Sequence, residues 1–195
     1  MSRVSPLATK AVLGSFGNFE GKSIDKIIKI SEITNANIYQ IVQYKTSKLD
    51  TSLLKIDNQI LSASPGTVSA NLKTRIQWNG PKVWTIMSSN INIFDQINAS
   101  CSEDDFAITD LSHSRAIIQI EGENTIAIIK KGCPLNLNEF AINNCANSVY
   151  HGMAFSIDMI NDNPSKFNLM VYRSFADSFY HAITDASLEY GYKQE

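Results

Sequence analysis

The stretch RIQWNGPKVWTIM, residues 75–87, decides the fold class because it holds two strand patterns and the turn between them. Residues 75–78 and 83–87 are rich in β-branched and aromatic side chains, which favour strands. Between them stand Asn79, Gly80 and Pro81, residue types that are typical of turns. The stretch therefore predicts a β-hairpin, and the rest of the chain is interpreted outward from it.

Strand patterns recur on both sides of this hairpin. They are short, rich in β-branched or aromatic residues and bounded by polar residues. They cover residues 27–33, 38–44, 116–120, 148–151, 154–160 and 167–172. Residues 62–70, around Pro65 and Gly66, are interpreted as a loop.

Helical patterns are interspersed among these strands. Ser47 opens a variant capping box, residues 91–97 form a short helical piece, and residues 123–131 form a helix that ends at Gly132 in a left-handed conformation. Ser174 is predicted to cap the last helix. The apolar stripe of that helix consists of Phe175, Phe179, Ile183 and Ala186.

The order of elements predicts an α+β fold that is internally duplicated. Each half, about 27–99 and 110–190, begins with a strand, a short helix and a proline-bearing loop. A strand pair and another helix come after them. An alternative stays open at this point, because any mixed chain alternates strands and helices in this way. Residues 1–22 are interpreted as an extended leader that buries little by itself, and residues 23–195 as one domain.

Composition narrows the function classes. The net charge is −2 and charged residues make up only 18% of the chain, so the basic footprint of a nucleic-acid-binding protein is missing. Neither a secretory signal nor a membrane span is recognisable, and no membrane association is expected. The three cysteines, Cys101, Cys133 and Cys145, form no close pair, which fits a reducing cytoplasm.

Motifs that carry chemistry are weak. No glycine-rich phosphate loop follows a strand pattern, so no nucleotide or flavin is expected on this chain. His113, Cys133, Cys145 and His151 lack the close spacing of a zinc site. Buried, hydrophobic cysteines are the favoured interpretation.

Asp110, Ser112 and His113 have the residue types of a nucleophilic relay. Neighbours along an extended chain point to opposite faces, so a turn with local backbone hydrogen bonds is favoured over catalysis.

Two arginines and two tryptophans are further candidates. Arg115 and Arg173 stand at strand ends, where a guanidinium could anchor an acidic group of a partner or clamp local backbone and carboxylates. Trp78 and Trp84 lie on the two strands of the hairpin. Tryptophans in such positions are more often core than a ligand platform.

Several motifs together carry a family resemblance. They are DLSHSRA at residues 110–116, KGCPLNL at 131–137 and YRSFAD at 172–177, with SPL at 5–7 and GPKVW at 80–84 upstream. In this order and spacing they resemble the gamma subunit of heterotetrameric sarcosine oxidase. A more distant resemblance, on the Gly80-Pro81 pair and Trp84, is to folate-binding aminomethyltransferases.

The resemblance implies a cofactor-free subunit that is not itself catalytic, with a fold related to the folate-binding aminomethyltransferase domain. Its partners would be alpha, beta and delta subunits, chiefly alpha. FAD, FMN, NAD, tetrahydrofolate and zinc would be held by those subunits, and the complex would demethylate sarcosine oxidatively. The alternative is a free-standing tetrahydrofolate-binding or aminomethyl-transfer protein, for which Asp110, Glu121 and Glu123 are the nearest carboxylates.

A subunit of a complex needs an apolar face that its partner covers. The leader up to Gly21 is one candidate for that face. The other is the loop 133–144, because no regular element is predicted to bury Leu135, Leu137 and Phe140. With Arg115 and Arg173, these three residues are the predicted partner-interface residues.

Overall fold

The computed structural model describes residues 4–23 and 26–195. The strands are β1 (Gly14–Phe16), β2 (Ile28–Glu32), β3 (Asn37–Gln43), β4 (Lys55–Ile56), β5 (Gln59–Ile60), β6 (Val68–Ala70), β7 (Thr74–Gly80), β8 (Val83–Ser88), β9 (Phe106–Asp110), β10 (Arg115–Glu121), β11 (Cys145–Tyr150), β12 (Met153–Asp162), β13 (Ser165–Tyr172) and β14 (Tyr192–Gln194). The α-helices are α1 (Ile93–Ser100), α2 (Thr125–Lys130) and α3 (Ala176–Ser187). Short 3₁₀ helices span Thr51–Leu53, Leu137–Glu139 and Arg173–Phe175.

The chain forms two compact units, and each takes segments from separate parts of the sequence. The first unit comprises the segments through Thr34, Ser114–Ile142 and Ala146–Glu195. The second comprises Asn35–His113 and Asn143–Cys145.

The first unit is built on a seven-stranded sheet with the order β1-β14-β2-β10-β13-β12-β11. Strand β14 runs parallel to β2, whereas the pairs β1-β14, β2-β10, β10-β13 and β12-β13 are antiparallel. Side chains of α2 and α3, such as Ile128 and Phe179, pack with Ile118 and Leu169 of the sheet. Full burial of each such side chain stabilises the fold by about 1.5–3 kcal/mol.

The second unit is built on a five-stranded sheet with the order β6-β7-β8-β3-β9 and a small β4-β5 ribbon. Ile93 and Ile97 of α1 pack with Ile41 and Ile86 of the sheet. Both units therefore pack helical side chains against a wholly or mainly antiparallel sheet, and the predicted α+β class is confirmed.

The two units repeat one strand arrangement. The order β9-β3-β8-β7-β6 in the second unit corresponds to β2-β10-β13-β12-β11 in the first. In each unit the outermost strand of this set comes from the other half of the sequence: β2 joins the strands of the second half, and β9 joins those of the first. The halves have therefore exchanged their first strands.

The hairpin predicted at residues 75–87 is present as β7 and β8. Trp78 lies opposite Trp84, and a bulge separates Trp78 from Gly80. The turn lies one residue later than predicted, at Pro81 and Lys82, with Lys82 at a φ of 61°. Strands β6 and β9 are among those that the sequence patterns did not predict: β6 falls in the predicted loop 62–70, and β9 ends at the predicted turn.

The helix predicted to open at Ser47 is wrong. A single 3₁₀ turn, Thr51–Leu53, stands there, and the carboxylate of Asp50 accepts from the Ser52 N–H at 2.9 Å. Leu54 is already extended as the chain enters β4. Pairing of β4 with β5 therefore outweighs the helical pattern.

The last helix differs from its prediction at the N-terminus. Ser174 lies inside the 3₁₀ helix Arg173–Phe175 and gives no side-chain cap, and α3 begins at Ala176. Phe175, predicted in the buried stripe, is 44% exposed, whereas Phe179 and Ile183 are fully buried.

Gly132 follows α2 and its C-cap residue Lys131, but it does not adopt the predicted left-handed conformation. A Cβ there would lie 2.9 Å from the ring atoms of His151 and Tyr150. Close packing, rather than a positive φ, is therefore the reason for glycine at this position.

The predicted leader is integrated into the first unit. Leu7 belongs to the core, and β1 pairs with β14 through Gly14–Gln194, Ser15–Lys193 and Phe16–Tyr192. The C-terminal strand supplies the surface that these residues cover, so the segment packs against the rest of its own chain. Residues 1–3 of the predicted leader lie outside the described residues.

Candidate functional site

A cluster of two partly exposed arginines and exposed apolar side chains lies in the first unit where β10 begins and β13 ends. Arg115 stands opposite Tyr172 in the strand register, and its guanidinium carbon is 4.0 Å from the Tyr172 ring centroid. A cation over an aromatic face in this geometry is attractive and holds both side chains in place. Arg115 also donates to the carbonyl oxygen of Ser114 at 3.3 Å.

Arg173 extends this cluster along the 3₁₀ helix. Its Nη1 donates to the Val4 carbonyl oxygen at 2.7 Å, and its backbone N–H donates to the Ser114 carbonyl oxygen at 2.9 Å. The guanidinium therefore holds backbone that lies 169 residues earlier in the chain, which is not the local clamp considered from the sequence. Val4, Tyr172 and Phe175 are 66%, 46% and 44% exposed. We call Val4, Arg115, Tyr172, Arg173 and Phe175 the arginine–aromatic patch.

The three apolar residues predicted for the partner interface lie in a different environment. Leu137 is only 1% exposed and belongs to the core of the first unit. Leu135 and Phe140 are partly buried against the same core, and the Phe140 ring centroid is 6.5 Å from that of Phe167. The expectation that nothing in the chain buries these residues is wrong, because the loop folds back over its own sheet through the 3₁₀ helix Leu137–Glu139.

Asp110, Ser112 and His113 form a structural turn. An Asp110 carboxylate oxygen accepts from the Ser112 N–H at 2.8 Å. The Ser112 hydroxyl accepts from the Ile38 N–H at 2.9 Å and is buried, whereas His113 is exposed. The serine oxygen is thus engaged by strand backbone, and the predicted preference for local backbone bonding agrees with this geometry.

The cysteines are buried, free thiols. Burial raises the pKa of the Cys101 thiol to about 11, which keeps it protonated at neutral pH. Cys133 contacts the Ser148 hydroxyl at 3.4 Å, and Cys145 contacts the Thr67 carbonyl oxygen at the same distance. Within residues 4–23 and 26–195, no group of three His, Cys, Asp or Glu residues is arranged to hold a metal ion.

The hairpin tryptophans differ in environment. Trp84 is buried in the core of the second unit, and its indole N–H donates to the Ser62 carbonyl oxygen at 2.7 Å. Trp78 is partly exposed. The interpretation as core therefore holds for Trp84.

Two open clefts lie in the first unit. One, of about 360 Å³, has Tyr180, His181 and Tyr192 in its wall, and Lys10 pairs with Asp177 at its edge at 3.3 Å. Burial raises the pKa of Tyr180 to about 12, so its phenol donates a hydrogen bond of 2.8 Å to Gln194 at all ordinary pH values.

The other cleft, of about 420 Å³, is lined by Glu121 and Glu123 with Lys29. Glu121 forms an ion pair of 2.9 Å with Lys166. Asp110, the third carboxylate considered for a pterin, belongs to the second unit. Ile27 and Pro164 are the apolar side chains of this cleft, whose other side chains are polar or charged, and one of its carboxylates is already paired. A typical ligand pocket is lined mostly by apolar residues.

Sequence reasoning found the two arginines of the patch but missed its exposed aromatic side chains. Tyr172 was placed in a strand and Phe175 in a buried helical stripe. The available signal was the alternation along β13, which puts Tyr172 on the face opposite to Val171. None of the helices in the described part of the chain is long and apolar enough to cross a membrane.

Comparison with known proteins places these features in a family context. Residues 59–189 match the family described as sarcosine oxidase, gamma subunit family. The curated sarcosine oxidase subunit gamma of Corynebacterium sp. (strain U-96) is 28% identical over 87 residues. That alignment covers 43% of this chain and 42% of the relative, so it spans less than half of either protein.

Solved structures share the fold over the whole chain. One chain of the heterotetrameric sarcosine oxidase from Corynebacterium sp. U-96, in complex with pyrrole 2-carboxylate, superposes with a TM-score of 0.81 at 20% identity and covers 97% of both chains. The glycine cleavage system aminomethyltransferase T from Bartonella henselae superposes with a TM-score of 0.67 at 13% identity. This superposition covers 100% of this chain and 59% of the aminomethyltransferase chain, so the predicted likeness to that fold is confirmed.

Proposed function

The chain belongs to the sarcosine oxidase gamma subunit family, and from that premise we propose that it is a non-catalytic subunit of a heterotetrameric sarcosine oxidase. In this role it supports assembly with the alpha subunit and, through it, the oxidative demethylation of sarcosine. The observation that carries the proposal is the family match, which spans residues 59–189 and includes the three motifs at 110–116, 131–137 and 172–177.

The hydrogen bonding of the candidate catalytic residues supports a role without chemistry. The Ser112 hydroxyl bonds the backbone of Ile38, and Asp110 bonds the backbone of Ser112. A nucleophile needs its oxygen within reach of a base, and here that oxygen is committed to a strand. In this proposal FAD, FMN, NAD, tetrahydrofolate and zinc are held by the alpha, beta and delta subunits.

The arginine–aromatic patch is the part of the first unit that we assign to the partner. Arginine and aromatic side chains are enriched where interfaces are buried, and a guanidinium fork suits a partner carboxylate. Arg115 and Arg173 therefore stay in the proposed interface, with Tyr172 and Phe175 added to them. Leu135 and Phe140 contribute through their exposed parts only, and Leu137 is withdrawn from it because it is core. A cytoplasmic location is part of the proposal and is supported by the three free thiols.

The alternative, a free-standing tetrahydrofolate-binding or aminomethyl-transfer protein, has weaker support. The likeness to the aminomethyltransferase shows a shared fold, and one fold hosts different functions. Glu121, one of the carboxylates that this alternative would use, is engaged by Lys166.

Co-expression with the alpha, beta and delta subunits of a heterotetrameric sarcosine oxidase tests the proposal. We expect the chain to co-purify with the complex, and we expect omission of the chain to reduce the yield of assembled, sarcosine-oxidising complex. A chain that stays monomeric beside a fully assembled and active complex would refute the proposal. Calorimetric titration of the isolated chain with tetrahydrofolate distinguishes the alternative, which requires stoichiometric binding.

A double variant tests the patch within the same experiment. Replacing Tyr172 and Phe175 by Ala should weaken co-purification by about tenfold or more, because exposed aromatic anchors commonly contribute over 1 kcal/mol each at an interface. The matched control is Leu53→Ala with Leu72→Ala, two exposed apolar residues in the second unit. Equal loss in both double variants would remove the patch from the proposed interface.

A further inference from the structure

The internal duplication identifies two equivalent exchanged strands, β2 and β9. The Ile33 N–H donates to the Ile117 carbonyl oxygen at 2.9 Å after β2, and the Leu111 N–H donates to the Ile38 carbonyl oxygen at 2.8 Å after β9. Counting back from these equivalent bonds, Ile30 of β2 corresponds to Ile108 of β9. The two strands can therefore be compared residue by residue.

The outer edge of β2 is covered by the chain itself. Strand β14 lies parallel to it, and β1 lies outside β14. The Ile28 N–H donates to the Gly191 carbonyl oxygen at 3.1 Å, and the Ile30 carbonyl oxygen accepts from the Glu195 N–H at 3.0 Å. The repeated architecture thus accepts one more strand beside the exchanged strand.

The outer edge of β9 has no such cover among the described residues, since β9 ends the strand order of its sheet. Two hydrogen bonds define the orientation of residues 105–111. The Tyr44 N–H donates to the Asp105 carbonyl oxygen, and the Leu111 N–H donates to the Ile38 carbonyl oxygen, so the backbone groups of the odd-numbered residues face β3. By the alternation of an antiparallel ladder, the N–H and C=O groups of Ile108 then point outward. The Ile108 side chain packs against the core of the second unit, so the edge is held in strand geometry.

Acidic residues flank this open edge on both ends. Glu103, Asp104 and Asp105 precede β9 and Asp110 ends it. None of the four takes part in the ion pairs found among the described residues. A second copy of this chain would bring like charges together at such an edge, whereas a basic segment would complement it.

We propose that β9 is a docking edge, to which a partner subunit adds an extended segment carrying lysine or arginine as the next strand of the five-stranded sheet. Main-chain hydrogen bonds to Ile108 supply the alignment, and the flanking carboxylates select a basic segment. The inference rests on the proposed function, because it takes the partner to be a subunit of the sarcosine oxidase complex. It adds a contact in the second unit to the arginine–aromatic patch of the first.

Ile108→Pro tests the docking edge. Proline removes the outward N–H and blocks an approaching strand, and it is tolerated on an edge strand where that N–H faces outward. The matched control is Ala70→Pro on β6, the opposite edge of the same sheet, where the bond from the Trp78 N–H to the Thr67 carbonyl oxygen makes Ala70 outward-facing by the same alternation. Circular dichroism first measures the thermal midpoint of each variant, and capture is compared between the two variants if their midpoints are equal.

We expect Ile108→Pro to weaken capture by the co-expressed subunits about tenfold and Ala70→Pro to leave it unchanged. Assembly of the wild type together with unchanged assembly of Ile108→Pro overturns the docking edge and leaves the proposed function standing. Failure of the wild type to assemble overturns the proposed function, and the docking edge with it. A dimer of the isolated chain that Ile108→Pro disrupts would show a second copy as the occupant and overturn the proposal.

Charge reversal provides a second arm. Glu103→Lys with Asp104→Lys should weaken capture and lessen its dependence on salt, because the attraction between an acidic edge and a basic segment is screened. Glu20→Lys with Glu123→Lys makes the same change in net charge at two exposed residues of the first unit and should leave capture unchanged. Equal effects of the two pairs would overturn charge selection at β9.

Hydrogen exchange keeps the proposal testable even where Ile108→Pro does not fold. The Thr109 amide faces β3 and should be protected in the free chain and in the complex alike. The Ile108 amide should become protected only in the complex, since the added strand supplies its acceptor. An Ile108 amide that exchanges equally fast in both states overturns the proposal.

Discussion

The hydroxyl of Ser112 accepts a hydrogen bond of 2.9 Å from the Ile38 N–H and approaches the Ile38 carbonyl oxygen at 3.4 Å. Ser112 is buried beside the first residues of β3. Its oxygen therefore completes the hydrogen bonding of a strand end that water cannot reach.

Ser112→Ala should destabilise the isolated chain by about 1–3 kcal/mol, because it leaves the buried Ile38 N–H without an acceptor. Urea unfolding measures this cost, and His113→Ala, a change at an exposed neighbour, should alter stability by under about 0.5 kcal/mol. Complex assembled with Ser112→Ala should oxidise sarcosine at the wild-type rate. A loss of turnover at full occupancy would restore Ser112 as a catalytic candidate.

Leu137→Ala should lower the unfolding free energy of the isolated chain by about 2–5 kcal/mol, the range for a leucine truncated in a packed core. Leu137 is buried with α2 and α3 side chains, so the cost arises without any partner. Leu72→Ala, at an exposed leucine, is the control and should change stability by under about 0.5 kcal/mol. Near-equal stability of the two variants would return Leu137 to the interface.

Gly191→Ala should destabilise the chain more than Gly152→Ala, although both glycines have a similar positive φ, 74° and 83°. An alanine pays about 1–2 kcal/mol for that conformation at either position. At Gly191 its Cβ would also lie 2.7 Å from the Asn18 carbonyl oxygen, whereas nothing lies within 4 Å at Gly152. Thermal unfolding compares the two variants. Equal midpoints would show that the N-terminal segment does not pack on the turn before β14.

Acid should destabilise the wild type more steeply than Asp57→Asn. The hydrogen bond from Thr74, joined by those from Asn71 and Asn90, holds the pKa of the Asp57 carboxyl below its ordinary value. The ionised form is therefore favoured in the folded state. Its contribution is complete above the unfolded pKa of about 4 and is lost as the pH falls through the lower folded-state pKa. Unfolding free energies of the two proteins between about pH 5 and pH 2 measure the two slopes.

The sequence predicted the elements whose signals are local. The hairpin 75–87 has its turn residues and its strand residues within one short stretch, and β7 and β8 form there as expected. The helix ending near Gly132 and the last helix were also found, since each has a continuous apolar pattern. These local elements were enough to predict the α+β class.

The candidate site was predicted in part. Arg115 and Arg173 were named as candidates from their residue type and their place at strand ends, and both lie in the arginine–aromatic patch. Their role at an interface stays a prediction. The burial of Leu137 and the exposure of Phe175 were predicted the wrong way round. The hydrophobicity of a residue alone does not predict whether another part of the chain covers its side chain.

Sequence alone therefore determined the fold class and the family resemblance, because both rest on neighbouring residues and their order. Tertiary structure decided which strands are exchanged, how the N-terminal segment packs and which edge stays open. These features depend on pairs far apart in the chain, such as Gly14 with Gln194 and Gln40 with Thr109. Backbone hydrogen bonds between strands use groups that every residue but proline carries, so their partners leave no local pattern in the sequence.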